Sequence, residues 1–393
     1  MAADFGVNVN ITNEAASPIS VQSDTPIGIA ASIKNLSKKA IYEKAGFSEI
    51  EENPIFAFTK VEKAKAFVAD LIKEQNLSDF RLYDSLTCIE AQGVNCVIVL
   101  SFFIEEADDD INACINAINA FKNAVHRTGF KPDLIIAPYY SHEAPIKAAL
   151  ESVASKLKIT AITDLYATST GEALNAMKAY SSKRLIACWP FVQIYSSTGY
   201  KYVPQSPIIA AMIAATDASE EYGFSNSYSN RVLQGVTGVE YIIDFELGEQ
   251  CDANTLRKAH ISTVILYEGF RSWGGETSDQ DSIWQDLARV RIFDRISIAA
   301  QKASFKAVDK KASELYFVKL SVEELLRALK GAKVLVGYEV SWNEELNTAA
   351  NVSAGKFYLD IKMMNNPIVK LITLEFAYTD DWADELLNTI SGE

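Results

Sequence analysis

Two glycines separated by four residues, Gly269 and Gly274 in "ILYEGFRSWGGETS" (265–278), have the opening spacing of a loop that cradles phosphate. Such a loop continues with Lys and then Ser or Thr, the cation meeting phosphate charge and the hydroxyl holding magnesium. Here Gly275 and Glu276 follow, and a carboxylate in the lysine's place repels phosphate. The other chemistry-bearing patterns are equally incomplete. The three histidines, His126, His142 and His260, have no ligand partner at i+3 or i+4. His142-Glu143 falls at an expected strand-to-helix turn, a place that suits a catalytic group in an α/β fold, but a solvent-exposed helix start is the better reading. No GxSxG elbow occurs, and "TSTGE" (168–172) reads as a helix cap. The acidic run "EEADDD" (105–110) lacks the spaced ligands and glycine of a calcium loop. The sequence therefore reads as that of a non-enzyme without cofactor or metal. The glycines and Trp273 read as an interdomain turn with an aromatic packing anchor.

The scaffold is long enough for more than one core at 393 residues, and 49% apolar with 22% charged residues excludes global disorder. A formal charge of −14 argues against nucleic-acid or anionic-membrane binding. Five cysteines with no CxxC pair read as buried thiols in a reducing compartment. No Lys or Arg precedes Lys34, as a signal peptide would require, and the longest apolar runs are far shorter than the roughly 20 residues of a bilayer span. A chain made and kept in a cytoplasm, without direct membrane insertion, is expected. Charge is polarised: residues 283–333 carry 11 basic and 6 acidic groups, residues 334–393 carry 3 and 10. Such polarity suits head-to-tail self-association, which needs two different, complementary surfaces.

From 95 to 216 the pattern alternates strand and helix: strands at 96–103, 132–138, 158–165 and 184–191, helices at 110–124, 143–156 and 171–180. A further helix is announced by Ser206 and Pro207. That order implies a mostly parallel sheet covered by helices. After 280 the texture changes to a long helix from Ser282 to Val308 and a second starting at Ser321, with Glu324 completing a capping box. Strands at 333–342, 355–364 and 368–379 follow. The fold class is α/β plus α+β.

The segments "PQSPIIAAMIAATDASEEYGFSNSYSNRVLQGVTGVEY" (204–241) and "NTLRKAHISTVILYEGFRSWGGETS" (254–278) together resemble the tail sheath subunits of contractile bacteriophages, especially the short P2-type sheaths. "LNTAANVSAGKFYLDI" (346–361), "VKLITLEFAYTDDWADELL" (369–387) and "FGVNVNITNEAASPI" (5–19) look like the family's C-terminal domain, tail and N-terminal arm. The resemblance implies an N-terminal arm over 1–25, an outer α/β domain over 26–265, an inner α+β domain over 266–367 and a C-terminal arm over 368–393. It implies stacked hexameric rings around a tail tube, with baseplate and tail terminator proteins as further partners. Contraction would drive the tube through the target envelope for genome ejection, and the chain would reside in the virion tail. Intersubunit strand exchange is expected through Val7, Val9 and Ile11 and through Ile372, Leu374 and Phe376. The basic helices near Arg289–Lys306 or Arg327–Lys333, with Arg327, Lys330 and Lys333 singled out, are expected to meet tube or neighbour. A phage-derived bacteriocin or injection device fits the same sequence. A more distant alternative is a cytoplasmic α/β enzyme or small-molecule binder with its site near Pro138, Asp164 and Pro190.

Overall fold

A computed structural model describes residues 25–48, 54–105, 110–196 and 199–391. The chain opens with β1 (Ile27–Ala31), α1 (Lys38–Lys44), β2 (Ile55–Phe58), α2 (Val61–Glu74), α3 (Arg81–Ala91) and β3 (Ile98–Phe102). It continues through α4 (Asp110–Ala120), α5 (Ala124–Thr128), β4 (Leu134–Ile136), α6 (Ala144–Leu157), β5 (Thr160–Asp164), α7 (Thr170–Met177) and β6 (Leu185–Cys188). Next come the hairpin β7 (Val192–Ser196) and β8 (Gly199–Val203), then α8 (Ser206–Ala218), β9 (Val236–Val239), α9 (Asp252–Lys258), β10 (Ile261–Leu266) and β11 (Phe270–Trp273). The last part holds α10 (Leu287–Phe305), α11 (Leu315–Gly331), β12 (Leu335–Trp342), α12 (Ala349–Ser353), β13 (Leu359–Asn365) and α13 (Ala383–Ser391).

Eight strands form one sheet in the order β11-β10-β6-β5-β4-β1-β3-β2, parallel except at its two antiparallel edges. The alternation of strand side chains divides it into two apolar layers. Ile27, Ile29, Leu134, Ile136 and Ile162 pack on one side with α2, α3 and α8; Ala30, Val99, Ile135 and Ala161 pack on the other with α4 and α6. Helix α8 is buried all round, as its uninterrupted apolar sequence requires. The carboxylate of Asp164, at the end of β5, accepts the Ser206 N–H at 2.9 Å and so serves the first turn of α8. All five cysteines are buried free thiols, as expected.

A second, smaller core forms where Ile292, Ile296 and Ala299 of α10 meet Val322, Leu326 and Leu329 of α11 and Leu335 of β12. There β12 and β13 pair antiparallel, Tyr338 opposite Met363 and Val340 opposite Ile361 on the face that covers the helices. The class expected from sequence, a mostly parallel main sheet and a separate α+β unit, is the observed one.

Several local expectations need correction. The large sheet continues through β11, so residues 266–273 belong to it and the inner unit begins beyond them. Helix α11 starts at Leu315, not at Ser321. Residues 315–320 contain no Gly or Pro to stop a helix, so α11 continues upstream of Ser321, which is buried in its middle, where no capping box can form. Helix α10 starts at Leu287, because Asp286 caps the Ala288 N–H at 3.0 Å while Thr277 draws the preceding residues back through Gln285. Residues 368–379 have the alternation of a strand, yet nothing in the described chain pairs with them.

Candidate assembly surfaces

The inner sheet consists of β12 and β13 alone, so each strand has an outer edge with no partner among the described residues. A two-stranded antiparallel sheet is marginal by itself and presents unpaired N–H and C=O groups at both edges. Its second face carries Glu339 opposite Lys362 and Ser341 opposite Asp360, a polar surface.

Beyond β13 the chain leaves the domain. Asn366 gives its N–H to Val334 O at 2.9 Å, and from Val369 to Ser391 every residue is exposed except Thr379, which is half-buried. Ile372, Leu374, Phe376 and Tyr378, alternating with Thr373, Glu375 and Ala377, are 72, 71, 92 and 93% exposed. Exposed apolar side chains in this number and register mark a contact surface. Of the residues expected to exchange, Ile372, Leu374 and Phe376 therefore lie together on one extended segment. Val7, Val9 and Ile11 lie outside the described residues.

One contact fixes the root of this arm. Lys370 Nζ lies 2.9 Å from Glu276, the residue that breaks the phosphate-loop pattern, and Arg257 lies 3.4 Å from the same carboxylate. Glu276 is buried: burial pushes its pKa up, and Arg257 and Lys370 outweigh that and hold it below the usual value. The Arg257 guanidinium lies over Trp273, 4.5 Å from the ring centroid, and Trp273 packs against Phe245 at 5.2 Å and donates to Asn254 at 3.2 Å. Gly274 has φ +154°, and a Cβ there would come within 2.8 Å of Ser262 Cα, so only glycine fits. Gly269 lies apart from these, in the β10–β11 turn with φ +103°.

The basic residues divide differently from expectation. Arg327, Lys330 and Lys333 are exposed along the end of α11 and the turn after it. On α10, however, Arg291 and Arg295 are buried and unavailable to a tube. Arg291 donates to Asp217 at 2.6 Å and Asp133 at 2.8 Å; Arg295 donates to Asp217 and Asp133, each at 3.0 Å, and to Thr25 at 2.9 Å. Burial pushes the Asp133 carboxyl up, but the two guanidiniums reverse this and hold it low. Arg289 is likewise occupied, with Asn365 Oδ1 at 2.9 Å and Ile283 O at 2.7 Å. This ionic joint couples the ends of α8 and the start of β4 to α10, hence the large sheet to the inner unit. The sequence signals the inward placement of these arginines but not their partners: Arg291 and Arg295, four apart, lie on the same stripe as Ile292, Ile296 and Ala299.

The strand ends expected for an enzyme site are filled by internal partners. Asp164 is buried between Ser141 and Ser206, and burial pushes its pKa up to about 6 against their hydrogen bonds. At the C-terminal end of β1, Tyr140 donates to Glu105 at 2.6 Å, and Arg81 bonds Asp79 at 3.0 Å, Tyr140 at 3.1 Å and Glu105. His142 Nε2 lies 3.4 Å from Glu143 and its ring stands 5.3 Å from Tyr166. Among the described residues no cluster of three His, Cys, Asp or Glu could hold a metal, and no helix is long and apolar enough to cross a membrane.

An α/β body, a two-stranded sheet with no further partner among the described residues and an exposed apolar segment anchored at Lys370 are features of a chain that assembles with other chains. Comparison with known proteins gives the particular family. The chain is 32% identical to a prophage major tail sheath protein of Pseudomonas aeruginosa strain UCBPP-PA14 over 276 residues, 69% of this chain and 71% of that protein. It is 24% identical to the tail sheath protein of Escherichia phage P2 over 287 residues, 72% of each. The chain belongs to the contractile tail sheath protein family. No protein-family model matches it. Its fold is shared with the contracted sheath of the PVC extracellular contractile injection system (TM-score 0.70, 16% identity, covering 96% of this chain and 98% of that one). The contracted helical sheath of the anti-feeding prophage is similar (TM-score 0.68, 17% identity, 96% and 100% covered).

Proposed function

We propose that copies of this chain polymerise as stacked six-membered rings around a tail tube, each copy lending residues 369–378 as a strand to the open inner sheet of a neighbour. The observation that supports this is the pairing of two deficiencies: a sheet whose edges have no partner among the described residues, and an exposed alternating segment that pairs with none of them. Adding the segment to an edge of β12 or β13 continues the apolar face of Tyr338, Val340, Ile361 and Met363 with Ile372, Leu374, Phe376 and Tyr378. Burying four such side chains contributes roughly 6–12 kcal/mol before the cost of ordering the arm. Main-chain hydrogen bonds across the exchanged edge hold while the outer domains rotate, so the mesh survives contraction. Contraction then releases free energy stored at assembly and drives the tube through the target envelope. Baseplate and terminator proteins would bound the polymer, the N-terminal arm with Val7, Val9 and Ile11 would supply a second exchanged strand, and Arg327, Lys330 and Lys333 would face tube or neighbour.

Negative-stain electron microscopy of the purified chain at rising concentration tests the proposal. Wild type is expected to form wide hollow tubes, and the Ile372→Asp/Phe376→Asp variant to remain dispersed while keeping its circular-dichroism spectrum. Tubes from that variant at the wild-type concentration would refute strand exchange by this segment.

A further inference from the structure

Helix α13, which follows the exchange segment, has a surface of its own that strand pairing does not use. Trp382, Leu386 and Ile390 recur every fourth residue, with Ala383 and Leu387 beside them, so one side of the helix is an apolar stripe. Trp382, Leu386, Leu387 and Ile390 are 68, 62, 62 and 73% exposed. Asp384 and Glu385 flank the stripe on its two sides, Asp380 and Asp381 precede it, and residues 379–391 contain no Lys or Arg.

Another surface of the described chain has the opposite character. At the corner where α10 ends and α11 begins, Phe305, Val308 and Tyr316 are 76, 56 and 67% exposed. Phe305 and Val308 share one turn, the Val308 N–H bonding Phe305 O at 3.2 Å. Lys302, Lys306, Lys310 and Lys311, all exposed, rim this corner, with Asp309 the exposed carboxylate among them. An apolar centre rimmed by lysines matches an apolar stripe flanked by carboxylates in both hydrophobicity and sign.

We infer that α13 of one copy docks on the Phe305–Tyr316 corner of another. Every residue of α13 is exposed, its apolar side chains included. The segment 366–382 that carries it spans about 50 Å when extended, enough to leave its own inner unit. The corner belongs to the same α10–α11 hairpin that backs the inner sheet, so an arm that pairs with a neighbour's β12 or β13 arrives on the unit that bears it. Docking fastens the end of the exchanged strand, and truncation past it would leave a strand free to fray. The inference rests on the strand-exchange reading, and its test separates the two.

Three variants are assayed for the lowest concentration that yields sedimentable polymer: Asp384→Lys/Glu385→Lys on the helix, Lys306→Glu/Lys310→Glu on the corner, and the four changes together. Each pair of reversals is expected to raise that concentration about tenfold, and the combination to return it to within about threefold of wild type, since like charges then meet opposite ones again. Reversals that leave the concentration unchanged, or whose effects simply add in the combined variant, overturn the docking. A corner reversal that abolishes binding to purified tail tube but leaves self-assembly intact also overturns it, because the corner is then a tube surface. The chain truncated after Tyr378 keeps the exchange segment: if it still polymerises while the Ile372→Asp/Phe376→Asp variant does not, strand exchange stands whatever the reversals show. Wild type that never polymerises overturns both readings.

Discussion

Replacing Asp217 by Asn tests the joint between the two cores. The Asp217 side chain is 1% exposed and faces Arg291 and Arg295, each 6% exposed, with Asp133 as the second carboxylate. In wild type two guanidiniums meet two carboxylates. The variant leaves one carboxylate for two buried cations, and an uncompensated buried charge costs about 3–5 kcal/mol. At about 2.1 cal/mol/K per residue a chain of this size has an unfolding entropy of about 0.8 kcal/mol/K, so the fall in Tm is roughly 4–6 °C. The assay is urea unfolding followed by tryptophan fluorescence, on protein held below its assembly concentration so that polymerisation adds nothing to apparent stability. Adding Arg291→Met to Asp217→Asn removes the surplus cation, and the double variant is expected to be at least about 1 kcal/mol more stable than the sum of the single losses. A loss below about 1 kcal/mol for Asp217→Asn, with strict additivity in the double variant, would refute the view that this cluster holds the joint.

Three further outcomes are expected. Gly274→Ala places a methyl group against the Ser262 backbone at a positive φ, and is expected to cost roughly 2 kcal/mol or more, read as a lower urea midpoint. Asp164, its pKa pushed up to about 6 by burial, binds its proton more tightly in the folded chain than in the unfolded one. Stability from this group therefore falls as pH rises from about 4 through about 6 and levels above, by roughly 2–3 kcal/mol, and Asp164→Asn is expected to flatten that slope in unfolding curves taken across the range. Glu276 shifts the other way: its carboxyl is held low by Arg257 and Lys370, so its contribution is present above the unfolded carboxylate pKa and is lost as pH falls through the folded value. Lys370→Met is expected to weaken that acid-side loss and to increase proteolysis of the arm near residue 370, measured by limited trypsin-free digestion and mass spectrometry.

The large sheet was legible because its strands are short apolar runs between amphipathic helices, a pattern dictated by burial on both faces of a parallel sheet. Thus 96–103, 132–138, 158–165 and 184–191 contain β3, β4, β5 and β6. Helix starts were less legible. Ser321-Glu324 has the residue types of a capping box, but the helix already runs through residues 315–320, so Ser321 lies in its interior and has no helix start to cap. Family membership was legible in the order of motifs from 204 to 278 and in the closing segment. The ionic joint was not read, because pairing Arg291 and Arg295 with Asp217 and Asp133 is a long-range contact that local patterns do not encode. In the sequence Glu276 is legible only as the residue that spoils a phosphate loop; its role as the arm's anchor needs Lys370, almost a hundred positions away, beside it.

Strand exchange by the C-terminal arm is the central claim, and a helical reconstruction by electron cryomicroscopy of the assembled chain tests it most directly. The expected density shows residues 369–378 hydrogen-bonded along an open edge of β12 or β13 of a different copy. Density that returns this segment to the inner sheet of its own chain, or leaves it unpaired between copies, would contradict the claim.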